Sequence, residues 1–191
     1  MRQKITNISS LLQEIIEELE KEGEPNGALE PRIRFPIGFI RKAAHYRRRC
    51  PCYDAAIAKN ISYTLQFHDV LRWLLNWFDI GLTAQEMVIK HGIVAVAAVI
   101  EAIEVDELER RNIKAAMSLK RSTDKLQEQG IITDELAKKI QDLRKTRDNL
   151  HLQSHIWKPK KATEPEIYKI DDWNNAISIL NELLAELGRR Q

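Results

Sequence analysis

The stretch Leu143-Arg144-Lys145-Thr146-Arg147-Asp148-Asn149-Leu150-His151-Leu152 closes a run with the pattern of an α-helix that begins near Asp134. Because each helical residue turns the chain by about 100°, the pattern predicts one apolar stripe, formed by Leu136, Ile140, Leu143 and Leu150. Arg147 falls in the middle of this stripe, Arg144 lies beside it, and His151 lies at its edge. An unpaired charge is costly to bury, so a guanidinium there needs an anionic partner or reaches past the stripe to water.

A possible partner comes from the most apolar part of the chain. Residues 92–103 are apolar on nearly all sides, which is typical of a helix at the centre of a bundle, and Glu101 interrupts them. We therefore expect Glu101 to pair with Arg144 or Arg147. In the alternative, Glu101 faces water together with Glu104 and Glu107.

Local start and stop signals predict the other helices. They cover about residues 7–22, 37–49, 54–79, 112–129 and 171–187, while the charged run from Asp106 to Arg111 is predicted to turn. Predicted start signals are Asp54, the capping box Thr83-Ala84-Gln85-Glu86, Thr133 and Asp171, and Gly130 is a predicted stop. The fold class that follows is all-α. We expect residues 1–35 to form an N-terminal helical arm and linker, and residues 36–191 to form a bundle of about five or six helices.

The composition limits the classes of function. Hydrophobic residues make up 43% of the 191 residues and charged residues 30%, and the net charge is only +2, so nucleic-acid binding requires a local basic patch. Two patches are candidates for contacts with an RNA backbone: Arg41, Lys42, Arg47, Arg48 and Arg49, with Tyr46 and Tyr53 nearby, and Lys158, Lys160 and Lys161. In the alternative, they are solvated helix and loop surfaces.

Cysteine usage and hydropathy indicate a cytoplasmic protein. Cys50 and Cys52 are predicted to be reduced thiols, since one intervening residue suits no disulfide. Together with His45 they supply at most three metal ligands, fewer than a structural zinc site uses, so neither a metal nor a cofactor is predicted. We expect no signal peptide and no membrane segment, because the apolar run of residues 92–100 is too short to span a bilayer.

The Arg/His stretch resembles the signature of HEPN domains, in which four to six residues separate an Arg from a His. Six residues separate Arg144 from His151, and Leu-Arg-x-x-Arg-Asp-Asn-Leu-His is similar to the family's usual Leu-Arg-x-x-Arg-Asn-x-x-His. By pattern, the resemblance covers roughly residues 65–187. Two arginines stay candidates for the family's key position. Arg144 has the family's interval but is followed by Lys145, whereas Arg147 is followed by Asp148 but stands closer to His151.

The resemblance implies a HEPN-like bundle that cleaves RNA without a metal, by attack of a 2′-hydroxyl on the adjacent phosphate. His151 would serve as the acid or base, and Arg144 or Arg147 would hold the phosphoryl oxygens. Asp148 would orient the imidazole or pair with Arg144. Glu101 completes the set of candidate catalytic residues.

The resemblance also implies partners. HEPN proteins bring two Arg/His motifs together by dimerising, so a homodimer is expected, with the Arg/His helix at or near its interface. A toxin or an antiviral effector is the implied role, with a small nucleotidyltransferase as a possible antitoxin. Two other hypotheses stay open. One is a HEPN-like module that binds RNA, nucleotide or protein without chemistry, and the other is an unrelated helical interaction protein.

Overall fold

The computed structural model describes residues 10, 11, 14, 40–50, 52–78, 80–113, 119–148 and 168–188, except the side chains of residues 82, 119–121 and 148. The chain divides into two compact units, Met1–Pro36 and Ile37–Gln191. Ser10, Leu11 and Glu14 of the first unit are helical. The description that follows concerns the second unit.

The described part of the second unit contains six α-helices and no β-strand, which confirms the predicted all-α fold. Their bounds are α1 Ala43–Arg49, α2 Ala55–Trp77, α3 Leu82–Arg110, α4 Leu119–Glu128, α5 Asp134–Asp148 and α6 Ile170–Glu186. The central helix is α3, which contacts α2, α4, α5 and α6. Its buried side chains include Ile93, Val96, Val99, Ile100 and Ile103, so the prediction that this apolar segment forms the centre of the bundle is confirmed.

One glycine of α3 permits a close approach between helices. The indole of Trp173 on α6 packs directly against Gly92, and a Cβ at position 92 would lie 2.6 Å from Cδ2 of that indole and closer still to Cε2. The Trp173 side chain is fully buried. Gly92 therefore sets the distance between α3 and α6 at this level of the core.

Three predicted cap signals agree with the structure. The Asp54 carboxylate accepts hydrogen bonds from Ala56 N and Ile57 N at the start of α2. Gly130 has a positive φ of 64° after α4, where a glycine carries no steric penalty. The Thr133 hydroxyl accepts from Leu136 N at the start of α5, at 3.3 Å.

Two predicted cap signals and one start position are wrong. Thr83 lies inside α3, whose N-cap is Gly81 without a side-chain cap. The last helix begins before Asp171, and it is the Asp172 carboxylate that accepts from Lys169 N. The basic helix begins at Ala43 rather than at residue 37, because Arg41 N is bound to the Asp69 carboxylate instead of to a helical carbonyl.

The predicted turn from Asp106 to Arg111 is also wrong, since α3 continues through Arg110. The carboxylates of Asp106 and Glu107 are buried and have partners, whereas Glu109 is exposed. The Asp106 carboxylate accepts from Tyr53 N and Asp54 N, at 3.0 and 2.9 Å. The Glu107 carboxylate pairs with Arg110 and Arg111. These partners allow a charged sequence to remain helical and enter the core.

The helix predicted over residues 112–129 is shorter as described, Leu119–Glu128, and residues 114–118 lie outside the description.

Candidate functional site

The helix α5 presents its apolar stripe to the bundle as the periodicity predicts. Leu136, Ile140 and Leu143 are all buried. Asp134 and Glu135 lie in the first turn, where their negative charges interact favourably with the positive end of the helix dipole. This packing aims the next turn of α5, which carries Arg144 and Arg147, at the acidic half of α3.

Arg144 is the more buried of the two arginines, with 10% of its side chain exposed. Its Nη2 donates to Thr123 Oγ1 on α4 at 2.9 Å and lies 3.3 Å from Glu104 Oε2 on α3. Its Nε lies 3.9 Å from Glu101 Oε1. Arg144 therefore joins three helices at the base of the site, although the periodicity placed Arg147, not Arg144, at the centre of the stripe.

Arg147 pairs with Glu101, so the predicted ion pair between Glu101 and the arginines of α5 is present. The Nη1 of Arg147 donates to Glu101 Oε1. The Arg147 side chain is 23% exposed and that of Glu101 15%. Glu101 is thus turned to α5 and does not face water, and Arg147 is the arginine nearer to solvent.

Glu104 is a partner of Arg144 that the sequence analysis did not identify. Its carboxyl is fully buried, and its Oε1 accepts from Thr123 Oγ1 at 2.7 Å. Burial raises the pKa of Glu104 to about 7, although the Thr123 hydroxyl and the Arg144 guanidinium both oppose this rise. The signal that could have found it is its spacing of three residues from Glu101, which places the two side chains one helical turn apart.

The four charged side chains form a compact network, which we call the Arg/Glu cluster: Arg144 and Arg147 of α5 with Glu101 and Glu104 of α3. Two planar guanidinium groups held in place by carboxylates can bind the oxygens of a phosphate. A carboxyl with a pKa near neutrality can also give or take a proton. Asp148 is the last residue of α5 and its side chain is not described, and His151 lies outside the described residues.

The first basic patch is divided by the structure. Arg41 binds the buried Asp69 carboxylate through its backbone N and its guanidinium, and Arg49 donates to Asn181 Oδ1 at 2.8 Å. All five side chains of the patch are exposed, Lys42, Arg47 and Arg48 as well as Arg41 and Arg49. The second patch, Lys158, Lys160 and Lys161, lies outside the described residues. An RNA-facing surface on α1 would therefore consist mainly of Lys42, Arg47 and Arg48.

Further observations concern the described residues alone. Cys50 is buried and Cys52 is half-buried. No group of three or more His, Cys, Asp or Glu side chains in the described ranges is arranged to hold a metal ion. None of the described helices combines the length and the apolar character that crossing a membrane requires.

Comparisons of this chain with models of known protein families, with curated proteins and with solved structures find no match. The resemblance to HEPN domains therefore stands on the Arg/His segment and its surroundings.

Proposed function

We propose that this protein is a metal-independent endoribonuclease of HEPN type, in which Arg144 and Arg147 of α5 act on RNA together with His151. The observation that carries this proposal is the Arg/Glu cluster. It holds two guanidinium groups at one end of α5, and His151 follows closely in the chain. Charged groups that are fixed in advance lower the cost of stabilising a charged transition state.

The contacts of the two arginines favour different roles for them. Arg144 is 10% exposed and is held by Glu104 and Thr123, which suits a residue that positions the end of α5. Arg147 is 23% exposed, and its Nη1 donates to Glu101 Oε1. We therefore assign the contact with the phosphoryl oxygens to Arg147 and the positioning role to Arg144. The difference in exposure of the two side chains supports this choice between the arginines.

The proposed reaction needs one base and one acid. The base removes the proton of a 2′-hydroxyl. The 2′-oxygen then forms a bond to the adjacent phosphorus, and the bond from phosphorus to the 5′-oxygen breaks. The acid delivers a proton to the leaving 5′-oxygen, so that the products are a 2′,3′-cyclic phosphate and a 5′-hydroxyl. His151 supplies one of these roles, since imidazole titrates near neutral pH. In a homodimer, the same residue of a second copy supplies the other.

The basic side chains would bind the RNA backbone. Lys42, Arg47 and Arg48 are exposed on or beside α1, and Lys158, Lys160 and Lys161 follow the motif in the chain. Contacts of this kind are independent of RNA sequence and weaken as salt concentration rises. The role of a toxin or antiviral effector, with a small nucleotidyltransferase as antitoxin, belongs to the same proposal.

The test is cleavage of RNA in the presence of EDTA by wild type, His151→Ala, Arg147→Ala and Lys145→Ala. We expect loss of rate by about 10²–10⁴-fold in His151→Ala, because one acid–base group of this kind commonly contributes that much. Arg147→Ala should lose rate while keeping its fold. Lys145 is the matched control: it is a cation on the same helix, its side chain is 75% exposed, and among the described residues it pairs with Asp142 of its own helix. Lys145→Ala should retain full activity.

Two results would contradict the proposal: cleavage that survives His151→Ala, or cleavage that EDTA abolishes. The ends of the products provide an independent check, since the mechanism requires 2′,3′-cyclic phosphates. Sedimentation should show a dimer, and a monomer at every concentration would remove the second motif from the reaction.

A second candidate function is a helical module that binds RNA, nucleotide or protein without chemistry. The specific observation in its favour is that each arginine of the Arg/Glu cluster already has a carboxylate partner. A network whose charges are compensated internally can serve packing alone. For this candidate, RNA binding would persist in His151→Ala and no preparation would cleave RNA.

A further inference from the structure

A second site is indicated on the other side of the described bundle, where a cavity of about 240 Å³ lies between α1, α2, α3 and α6. Its polar wall consists of Arg41, Tyr46, Arg49, His68, Arg72 and Asn181. The remaining wall is formed mainly by apolar side chains such as Leu65 and Val96, and no Asp or Glu is among the described residues that line it. None of the lining residues belongs to α4 or α5, so this cavity is separate from the Arg/Glu cluster.

The charges around the cavity are not balanced by the described residues. Arg41 has a carboxylate partner, since its Nη2 lies 2.8 Å from Asp69 Oδ1. Arg49 donates to an amide oxygen, Asn181 Oδ1, at 2.8 Å, and Arg72 donates to Asn174 Oδ1 at 3.4 Å. An amide oxygen accepts a hydrogen bond but carries no negative charge. Two guanidinium charges therefore face the cavity without a described carboxylate, and the field there favours an anion.

His68 contributes a polar atom that also lacks a partner. It is 7% exposed, and its Nε2 makes no hydrogen bond to a described residue. Burial, and then the charge of Arg72, lower the pKa of His68 to about 4, so the ring is neutral at pH 7. A neutral imidazole can donate one N–H. Because a buried polar atom without a hydrogen bond is costly, a bound oxyanion would stabilise this arrangement.

The ring of His68 is held in place by its neighbours. It meets Trp173 edge to face, with 5.2 Å between the ring centroids, and the Arg72 guanidinium lies 5.5 Å from the centre of the same indole. One buried tryptophan thus positions both the imidazole and one guanidinium. Such support is typical of a built binding site, because little reorganisation is needed when the ligand arrives.

We propose that this cavity binds a small phosphate ester, with the phosphate group held by Arg49, Arg72 and His68. A phosphate presents three terminal oxygens in a tetrahedral arrangement and can accept from donors on several sides, whereas a carboxylate presents two oxygens in one plane. The apolar wall suits the carbon part of the ester. The volume of about 240 Å³ lies just below the ~300–1,000 Å³ of sites for drug-sized ligands, so the ester is small.

The test is titration calorimetry of the full chain with inorganic phosphate, glycerol 3-phosphate and succinate, together with thermal unfolding. Both phosphates should bind and raise the unfolding temperature, and succinate should do neither. Arg49→Gln and Arg72→Gln should each weaken phosphate binding by about ten-fold or more, since each removes a charged hydrogen-bond donor. Lys59→Gln is the matched control, because it also removes one positive charge, at an exposed position of α2 that does not line the cavity, and it should bind as wild type does.

Three results would overturn the proposal: absence of binding at millimolar phosphate, equal binding of succinate, or equal weakening in Lys59→Gln and Arg49→Gln. An RNA oligonucleotide that binds through Arg49 and Arg72 while free phosphate does not would also exclude a small-molecule site. Circular dichroism checks that each variant folds. The His151→Ala variant separates this site from the ribonuclease, since it should bind phosphate with unchanged affinity whether or not RNA cleavage exists.

Discussion

Replacing Arg144 by alanine should destabilise the protein strongly and in a pH-dependent way. The substitution removes the donor that lies 3.3 Å from the fully buried Glu104 carboxylate, and also its hydrogen bond to Thr123. Removal of one member of a buried ion pair typically costs about 3–5 kcal/mol. We expect a loss of that size in the free energy of unfolding at pH 8, where Glu104 of the wild type is ionised.

The loss should shrink at acidic pH. With Arg144 present the pKa of Glu104 is already raised to about 7, and without the guanidinium it rises further. At pH 6 the carboxyl is therefore mostly protonated in both proteins, and only hydrogen bonds and the packing of the arginine stem are lost. Above the wild-type pKa the difference grows by about 1.4 kcal/mol per pH unit. The destabilisation at pH 8 should thus exceed that at pH 6 by roughly 1–2 kcal/mol.

The assay is urea unfolding followed by circular dichroism at pH 6 and pH 8. Arg147→Ala is the comparison, because its pair with Glu101 is more exposed, at 23% and 15%. Its loss should be smaller, about 1–2 kcal/mol. Adding Glu104→Gln to Arg144→Ala should restore part of the stability at pH 8 and remove the pH dependence. Equal losses in the two arginine variants, or a loss from Arg144→Ala that does not change with pH, would refute the assignment of Arg144 as the buried partner of Glu104.

Two other predictions follow from the core. Between pH 4.5 and pH 7 the folded protein holds a proton on Glu104 that the unfolded chain has released, so this group stabilises the fold fully at the acidic end and progressively less as pH rises. The free energy of unfolding of wild type, measured relative to Glu104→Gln, should fall by about 3 kcal/mol across this window, and a constant difference would exclude the raised pKa. Gly92→Ala should destabilise the protein by about 1–3 kcal/mol or more, because the new Cβ would overlap the Trp173 indole, although such a change within a helix ordinarily stabilises by about 1 kcal/mol. Ala98→Gly, at an exposed position of the same helix, measures how much the difference in helix propensity between Ala and Gly contributes by itself. A Gly92→Ala protein as stable as wild type in thermal unfolding would show that α3 and α6 are not in close contact at position 92.

The chain's local signals predicted the helices well where the partners lie nearby in sequence. Asp54, Gly130 and Thr133 act on backbone atoms within a few residues of themselves, although the equally local signals at Thr83 and Asp171 are wrong. The apolar stripe of α5 and the apolar run of α3 can also be seen in the sequence, and the side chains that form them are buried. The expectation that Glu101 pairs with an arginine of α5 rested on the same physics, since each is a charge within an apolar pattern.

The partners of the buried charges were decided by the tertiary structure. The charged segment from Asp106 to Arg111 is predicted to turn, yet α3 continues through Arg110. Asp106 is bound by backbone N–H groups 52 and 53 residues earlier, and Glu104 by Thr123 and Arg144, 19 and 40 residues later. The phosphate cavity has the same origin, because Arg49 and Arg72 come from different helices and meet only when α1 and α2 pack together. The free energy of a buried charge depends on the groups that surround it in space, and these groups come together only when the helices pack.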